Sequence, residues 1–240
     1  MNNPRHDLPR VSCVIAVYNG QAYLREAIDS LLAQTYPELE IVVVNDGSTD
    51  GTAGVIDRYG DRVRLLTQDN AGVSAARNRG VAMSTGQLLC FLDADDCLDA
   101  RKLTMQAAAF AADAELDLCD CHTSYFWSPE LSLETHQRDC RYAQAFWRNL
   151  LPGHISTWLF RRELWDRVGG FSTNLRYAED VDWFSRARDL PMRRHTLAEV
   201  LTHRRLHPHN VTARCAAEQG ASLAQTLRAH LHRAQRRAAG

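Results

Sequence analysis

Apolar residues in the first hundred positions fall in short unbroken runs separated by polar turns. Val11 to Val17, Ile41 to Val44, Val63 to Leu66 and Leu88 to Leu92 each read as a strand, and runs without alternation suit strands covered on both faces. Between them, spacing changes to that of a helix. Leu24, Ala27, Ile28, Leu31 and Leu32 recur on one helical face, with Pro37 as the stop signal. Val55, Ile56 and Tyr59 predict a short helix. Asn70-Ala71-Gly72 opens another, carrying Val73, Ala76, Arg77 and Gly80. Strands alternating with helices predict an α/β domain, a Rossmann-like, mostly parallel sheet with helices on both faces.

The second half is less regular. Lys102 to Ala114 has Leu103, Ala107, Phe110 and Ala111 at helical spacing and reads as a packing helix. Leu116 to Trp127 predicts a strand, Ser128 to Asp139 a loop, and Tyr142 to Leu151 an aromatic helix. Ile155 to Phe160 reads as an apolar strand after Pro152-Gly153-His154, and Arg161 to Val168 as a helix stopped by Gly169-Gly170. A helical register resumes at Glu179 through Val181, Phe184, Ala187 and Arg188. From Ala213 onward the chain is helix-prone, with Leu223, Leu227 and Leu231 in a thin stripe beside Arg228, Arg233, Arg236 and Arg237. Such a tail suits an anionic membrane surface or a partner. Trp127, Trp147, Trp158 and Trp165 read mostly as packing. Cys119, Cys121 and His122 lack the second ligand pair that a zinc site needs.

Composition narrows the class. The chain has 240 residues, 28 Lys+Arg against 29 Asp+Glu, and a formal charge of −1, so neither nucleic acid nor another polyanion is an expected partner. Lys102 is its only lysine. No apolar run approaches the roughly 20 residues that cross a bilayer, and MNNPRHDLPR lacks the apolar stretch of a signal peptide. The seven cysteines are odd in number; free buried thiols in a reducing cytoplasm are the expectation.

Candidate chemistry lies where the predicted strands end. Tyr18 and Asn19 follow the first strand, Asp46 the second, and Asp93-Ala94-Asp95-Asp96 the fourth. Open α/β sheets bind ligands beyond the carboxyl ends of their strands, so the topology brings these groups together. Asp93 and Asp95, two apart in an extended chain, share one side. Clustered carboxylates favour a cation, and oxygen ligands favour Mg²⁺ or Mn²⁺, which also bind phosphates. The first turn has only Gly20, not the glycine fingerprint of a nicotinamide oxidoreductase, and no P-loop is present. A diphosphate here needs a metal on the carboxylates instead.

Three stretches, VIAVYNGQAYLREAIDSLLAQTYPELEIVVVNDGSTDGT, NAGVSAARNRGVAMSTG and FLDADD, resemble the nucleotide-binding half of family-2 glycosyltransferases, which have the GT-A fold. The resemblance implies that Ala16, Tyr18, Asp46, Arg77, Asp93 and Ala94 line the nucleotide-sugar site, with Tyr18 on the base and Asp46 bonded to it. It implies that Asp95 holds a divalent metal, Mn²⁺ or Mg²⁺. Taken singly, Tyr18 also fits strand-end packing, Asp46 a turn bond and Arg77 a surface charge. Glu179-Asp180 after Gly-Gly-Phe resembles the family's E-D motif, which makes Asp180 the general base and Glu179 its orienting neighbour. Acidic residues are also ordinary in a helix's first turn. The segment Leu206-His207-Pro208-His209-Asn210-Val211-Thr212 resembles a motif whose histidine reaches the metal, and His207 matches best. His154 is given no role.

The implied protein is one GT-A domain. Residues about 8–100 form the donor half, about 101–212 a smaller acceptor-binding and catalytic half, and 213–240 a basic helical tail. The implied reaction is inverting, metal-dependent transfer from a UDP- or dTDP-sugar to a hydroxyl of a saccharide, lipid-linked saccharide or peptide. The alternatives are a non-catalytic nucleotide-sugar-binding module, against which the E-D pair counts, and a sugar nucleotidyltransferase, which needs a glycine- and Arg/Lys-rich loop that is missing.

Overall fold

A computed structural model describes residues 8–129, 154–207, 210 and 216–238. The predicted helix 142–151, the loop from 130, Trp147, and positions 208, 209, 211 and 212 lie outside the described residues. Four strands of the first half, β1 (Val11–Val17), β2 (Leu39–Asp46), β3 (Arg64–Gln68) and β4 (Leu88–Phe91), fall on the predicted apolar runs. They are followed by β5 (Cys97–Leu98), β6 (Leu118–Trp127), β7 (Leu159–Arg161) and β8 (Arg194–Leu206). One eight-stranded sheet results, in the order β3-β2-β1-β4-β7-β6-β8-β5. The β1–β2, β2–β3, β1–β4 and β6–β8 pairs are parallel, whereas β7 runs antiparallel to both neighbours and β5 antiparallel to β8.

Alternate side chains of each run enter opposite cores, which is why the runs are apolar throughout. Val11, Cys13, Ile15 and Val17 of β1, with Leu88 and Cys90 of β4, pack with Leu24 and Ile28 of α1 (Leu24–Leu32) and Leu103 and Phe110 of α4 (Lys102–Ala112). Val14, Leu89 and Phe91 face the other way, toward Ala76 and Val81 of α3 (Val73–Met83). A Cβ on Gly80 would lie 2.3 Å from Val14 Cγ1, so α3 approaches the sheet closely only because that position has no side chain. The short α2 (Thr52–Asp57) lies between β2 and β3 in the chain.

The second core is largely aromatic. Trp183 packs within 5.0 to 6.2 Å, centroid to centroid, of Trp158, Phe160, Trp165 and Phe171. Trp158 and Trp183 are fully buried and Trp165 nearly so, as packing tryptophans should be. This cluster joins α5 (Arg162–Val168) to α6 (Glu179–Arg188). Trp183 Nε1 donates to Gly169 O at 2.9 Å, and Asn78 of α3 holds the turn through Phe171 N (2.8 Å) and Phe171 O (2.9 Å). Three elements differ from expectation: β5 and β8 lie where no strand is predicted, and the third is the apolar run ahead of β7. Ile155–Thr157 is a 3-10 turn, and only Leu159–Arg161 is strand; the run is apolar because the turn is buried, not because it is extended. The last helix, α7 (Ala216–Ala238), lies against α6 through Ser185–His230 (2.9 Å) and Arg233–Asp189 (2.5 Å). Among the described residues no helix is long and apolar enough to cross a membrane.

Candidate active site

The carboxyl ends of β1, β2 and β4 open on one side of the sheet, and the start of α6 reaches the same place. Arg77 makes the join. Its Nη2 lies 2.6 Å from Asp93 Oδ1 and its Nη1 2.6 Å from Glu179 Oε1, so one guanidinium fork spans the two halves of the chain. It is 6% exposed, and Phe171 lies under it at 5.7 Å. Glu179 follows Ala178, whose φ of 60° is left-handed; without glycine this costs about 1–2 kcal/mol. The bend turns the first residues of α6 toward Arg77. Asp180 is half-buried, and among the described residues its Oδ1 accepts from the adjacent Val181 amide at 2.8 Å.

Asp95 faces a different set. Its Oδ2 lies 2.9 Å from His207 Nε2 and 3.2 Å from Asn210 Nδ2. The His207 ring is buried against Tyr23, 4.5 Å away. Arg205 fixes the Asp loop from behind: its amide donates to Asp96 Oδ1 (3.0 Å) and its Nε to Asp95 O (3.1 Å). Its guanidinium sits between the rings of Tyr23 and Phe126 at 4.8 and 4.4 Å. His154 Nε2 completes the loop's contacts, 3.2 Å from Asp93 Oδ2 and 3.7 Å from Asp96 Oδ2.

The electrostatics separate these acids. Burial opposes charge on Asp93, but Arg77 and then His154 outweigh it and hold the carboxyl well below its usual range. Burial pushes Asp96 up, and the neighbouring Asp95 and Asp93 add to the effect. Burial also raises Glu179; Arg77 opposes this, and Asp180 reinforces it. Asp93, Asp96 and His154 place ligand atoms within 4.8 Å of one another, and Asp96 Oδ2 is buried without a hydrogen-bond partner. Two donor sets therefore border one loop. Those on Asp93 are already taken by Arg77 and His154, whereas Asp95 carries, among the described residues, the neutral amide of Asn210 and an imidazole. A carboxylate with an imidazole is a donor set that fits Mn²⁺.

The other expected residues land as follows. Tyr18 is 54% exposed at the end of β1, a free aromatic face beside the opening. Ala16 is partly buried opposite Val44, and Ala94 packs on the first core next to Gly20. Asp46 is 3% exposed and already employed: its Oδ1 accepts from Ala71 N (2.9 Å) and Gln68 Nε2 (2.7 Å), and its Oδ2 from Gly72 N (2.9 Å). It ties the loop that opens α3 to the end of β2. Arg77 is not a surface charge, and its fork meets carboxylates. Sequence reasoning passed over His154, Arg205 and Asn210; their partners are more than fifty residues away or across a turn, and no local spacing marks them.

Comparison with known proteins agrees with this arrangement. The model of the family described as Glycosyl transferase family 2 matches residues 12–180. An uncharacterised glycosyltransferase of Rickettsia typhi is 34% identical over 187 residues, 73% of this chain and 58% of that protein. Chondroitin synthase of Pasteurella multocida is 31% identical over 213 residues, 86% of this chain and 22% of that protein. The chain thus spans little more than half the length of the first of these relatives. Among solved structures, the mannosyltransferase PcManGT of Pyrobaculum calidifontis, in complex with GDP-Man and Mn²⁺, superposes with a TM-score of 0.70 at 26% identity, over 95% of this chain and 64% of that one. TarS 1-349 of S. aureus, in complex with UDP-GlcNAc, shares the fold with a TM-score of 0.67 at 22% identity, over 85% of this chain and 60% of that one. A family match over residues 12–180, with a relative 34% identical over 73% of the chain, has one reading: the chain belongs to glycosyltransferase family 2.

Proposed function

We propose that this protein moves a sugar from a nucleotide-diphosphate sugar, UDP- or dTDP-linked, to an acceptor hydroxyl, with inversion and with a divalent ion. The observation that carries the reading is the Arg77 fork, which draws Asp93 of the donor half and Glu179 of the acceptor half to one point. The complexes of TarS with UDP-GlcNAc and of PcManGT with GDP-Man and Mn²⁺ support the donor class. Tyr18 offers its exposed ring to the base. Asp95 and His207 are the residues that would hold the ion, which when bound supplies positive charge against the departing diphosphate. Asp180 takes the proton from the acceptor hydroxyl. Glu179, held by Arg77, sets the start of α6 and with it the direction of Asp180. Residues 8–212 act as one catalytic unit, because strands of both halves join one sheet, with β5 of the first half lying beyond β8 of the second. The basic helix α7 rests on an anionic membrane surface, which its outward leucines and its arginines favour.

The test pairs two variants. Asp180→Asn retains UDP binding in the presence of Mn²⁺, measured by calorimetry, and loses transfer by at least ~10³-fold, the upper part of the general-base range. Transfer at the wild-type rate removes Asp180 from the base role. Asp95→Ala loses the Mn²⁺-dependent part of UDP binding; unchanged affinity refutes its role as a metal ligand.

A further inference from the structure

Lys102, the chain's only lysine, is 0% exposed. Burying an ammonium is costly unless acceptors meet it, and no carboxylate pairs with this one among the described residues. Its acceptor is Gln106 Oε1, one helical turn on, at 2.7 Å. That demand fixes the amide: with Oε1 committed to Lys102, Nε2 must point the other way. There it donates to two carbonyls, Cys119 O at 2.9 Å and Thr157 O at 2.8 Å. Both belong to the place where β6 and β7 part, since their pairing ends at Cys119 and Leu159. Gln106 thus supplies the bonds that the sheet gives up when the chain leaves it for the 155–157 turn.

That turn leads straight to the acidic loop. Thr157 closes it by donating to His154 O from both its amide (2.8 Å) and its hydroxyl (2.7 Å). His154, so anchored, sets its ring against Asp93 and Asp96. Ser156 Oγ accepts from the Asp93 amide at 3.2 Å, and Ser156 O accepts from Thr202 Oγ1 at 3.2 Å. We propose that Lys102 and Gln106 are positioning residues, a buried ammonium–amide pair that sets the 154–157 turn and through it the Asp93–Asp96 loop. The positional claim stands on these contacts; its consequence for the metal rests on the function proposed above.

Amide hydrogen exchange followed by mass spectrometry reads the position directly, on the full chain without metal or nucleotide. Lys102→Met removes the cation. Gln106→Glu keeps an acceptor for Lys102 but cannot donate to either carbonyl, and Ser156→Ala cuts the far end. Each is expected to speed exchange about tenfold in segments 92–97 and 154–159 while leaving 39–46, in β2, within twofold of wild type. Exchange that rises equally in all three segments, or that stays unchanged in 92–97, overturns the proposal. If Lys102→Met does not fold, the other two variants decide it. In parallel, Mn²⁺ affinity, read from the paramagnetic resonance of the free ion, falls about tenfold in the same variants; an affinity equal to wild type refutes the link to the metal. A wild-type protein that binds no Mn²⁺ overturns the metal reading, and the exchange pattern still decides the positioning.

Discussion

At the residue scale, Arg77 has the most to lose. Its two carboxylate partners are both largely buried, so Arg77→Met removes the one guanidinium that bonds to both of them. Removing one member of such a set costs about 3–5 kcal/mol, and urea denaturation is expected to show a loss of that size at neutral pH. Arg77→Lys keeps the charge but not the fork and recovers only part of it. An unchanged midpoint for Arg77→Met means that the bridge contributes little. The acids at the strand ends were legible in the sequence because each terminates an apolar run. Arg77 was legible as a site residue but not as a bridge, since its partners stand 16 and 102 positions away. Asp46 was legible as polar and well placed, yet its work on the α3 loop depends on Gln68 and two backbone amides that no spacing announces. Lys102 read as an ordinary helix start, because lysine is rarely buried.

At the scale of elements, the first-half strands and helices could be read because both faces of the sheet are covered and the apolar runs are unbroken. The second half could not be read as well. β8 carries charges along much of its length and is half-exposed, so it offers neither alternation nor an apolar run. The 155–157 turn imitates a strand because burial, not extension, makes it apolar. Helix α7 is unusual in how it sits. It meets α6 through His230 and Arg233, buries Thr226, and leaves Leu223, Leu227 and Leu231 exposed at 41, 53 and 58%. A second copy is a poor occupant for a helix rich in arginine, because like charges repel; an anionic lipid surface is a good one. The protein is expected to sediment with phosphatidylglycerol vesicles and not with phosphatidylcholine vesicles, and Leu227→Glu to abolish the difference. Equal recovery in both supernatants rules the membrane contact out.

At the scale of the molecule, the sheet has two poles with separate duties. The carboxyl ends of the strands gather the candidate active site. At the opposite end, Ser12 at the start of β1 donates to Glu40 of β2 (2.5 Å) and accepts from Gly86 N ahead of β4 (2.7 Å), while Thr85 N donates to Glu40 (2.8 Å). Partial burial works to raise the Glu40 carboxyl, but these bonds from Ser12 and Thr85 outweigh it and hold it below its ordinary value. A carboxyl lowered by folding lends stability above its unfolded value, about pH 4.3, and withdraws it as pH falls through the folded one. Glu40→Gln is therefore expected to lower stability at pH 7 and to flatten its decline below about pH 4.3, as followed by urea titration at a series of pH values; a parallel decline in both proteins contradicts this. The strand order carries one more implication. Since β4 finds its outer neighbour in β7, and β5 pairs with His203 and Thr202 of β8, a nascent chain emerging from the ribosome leaves the edge of β4 open until β7 has been synthesised and β5 unpaired until β8 has. Bare strand edges invite intermolecular pairing, so slow translation ahead of residue 206 is where this chain would be most in need of a chaperone.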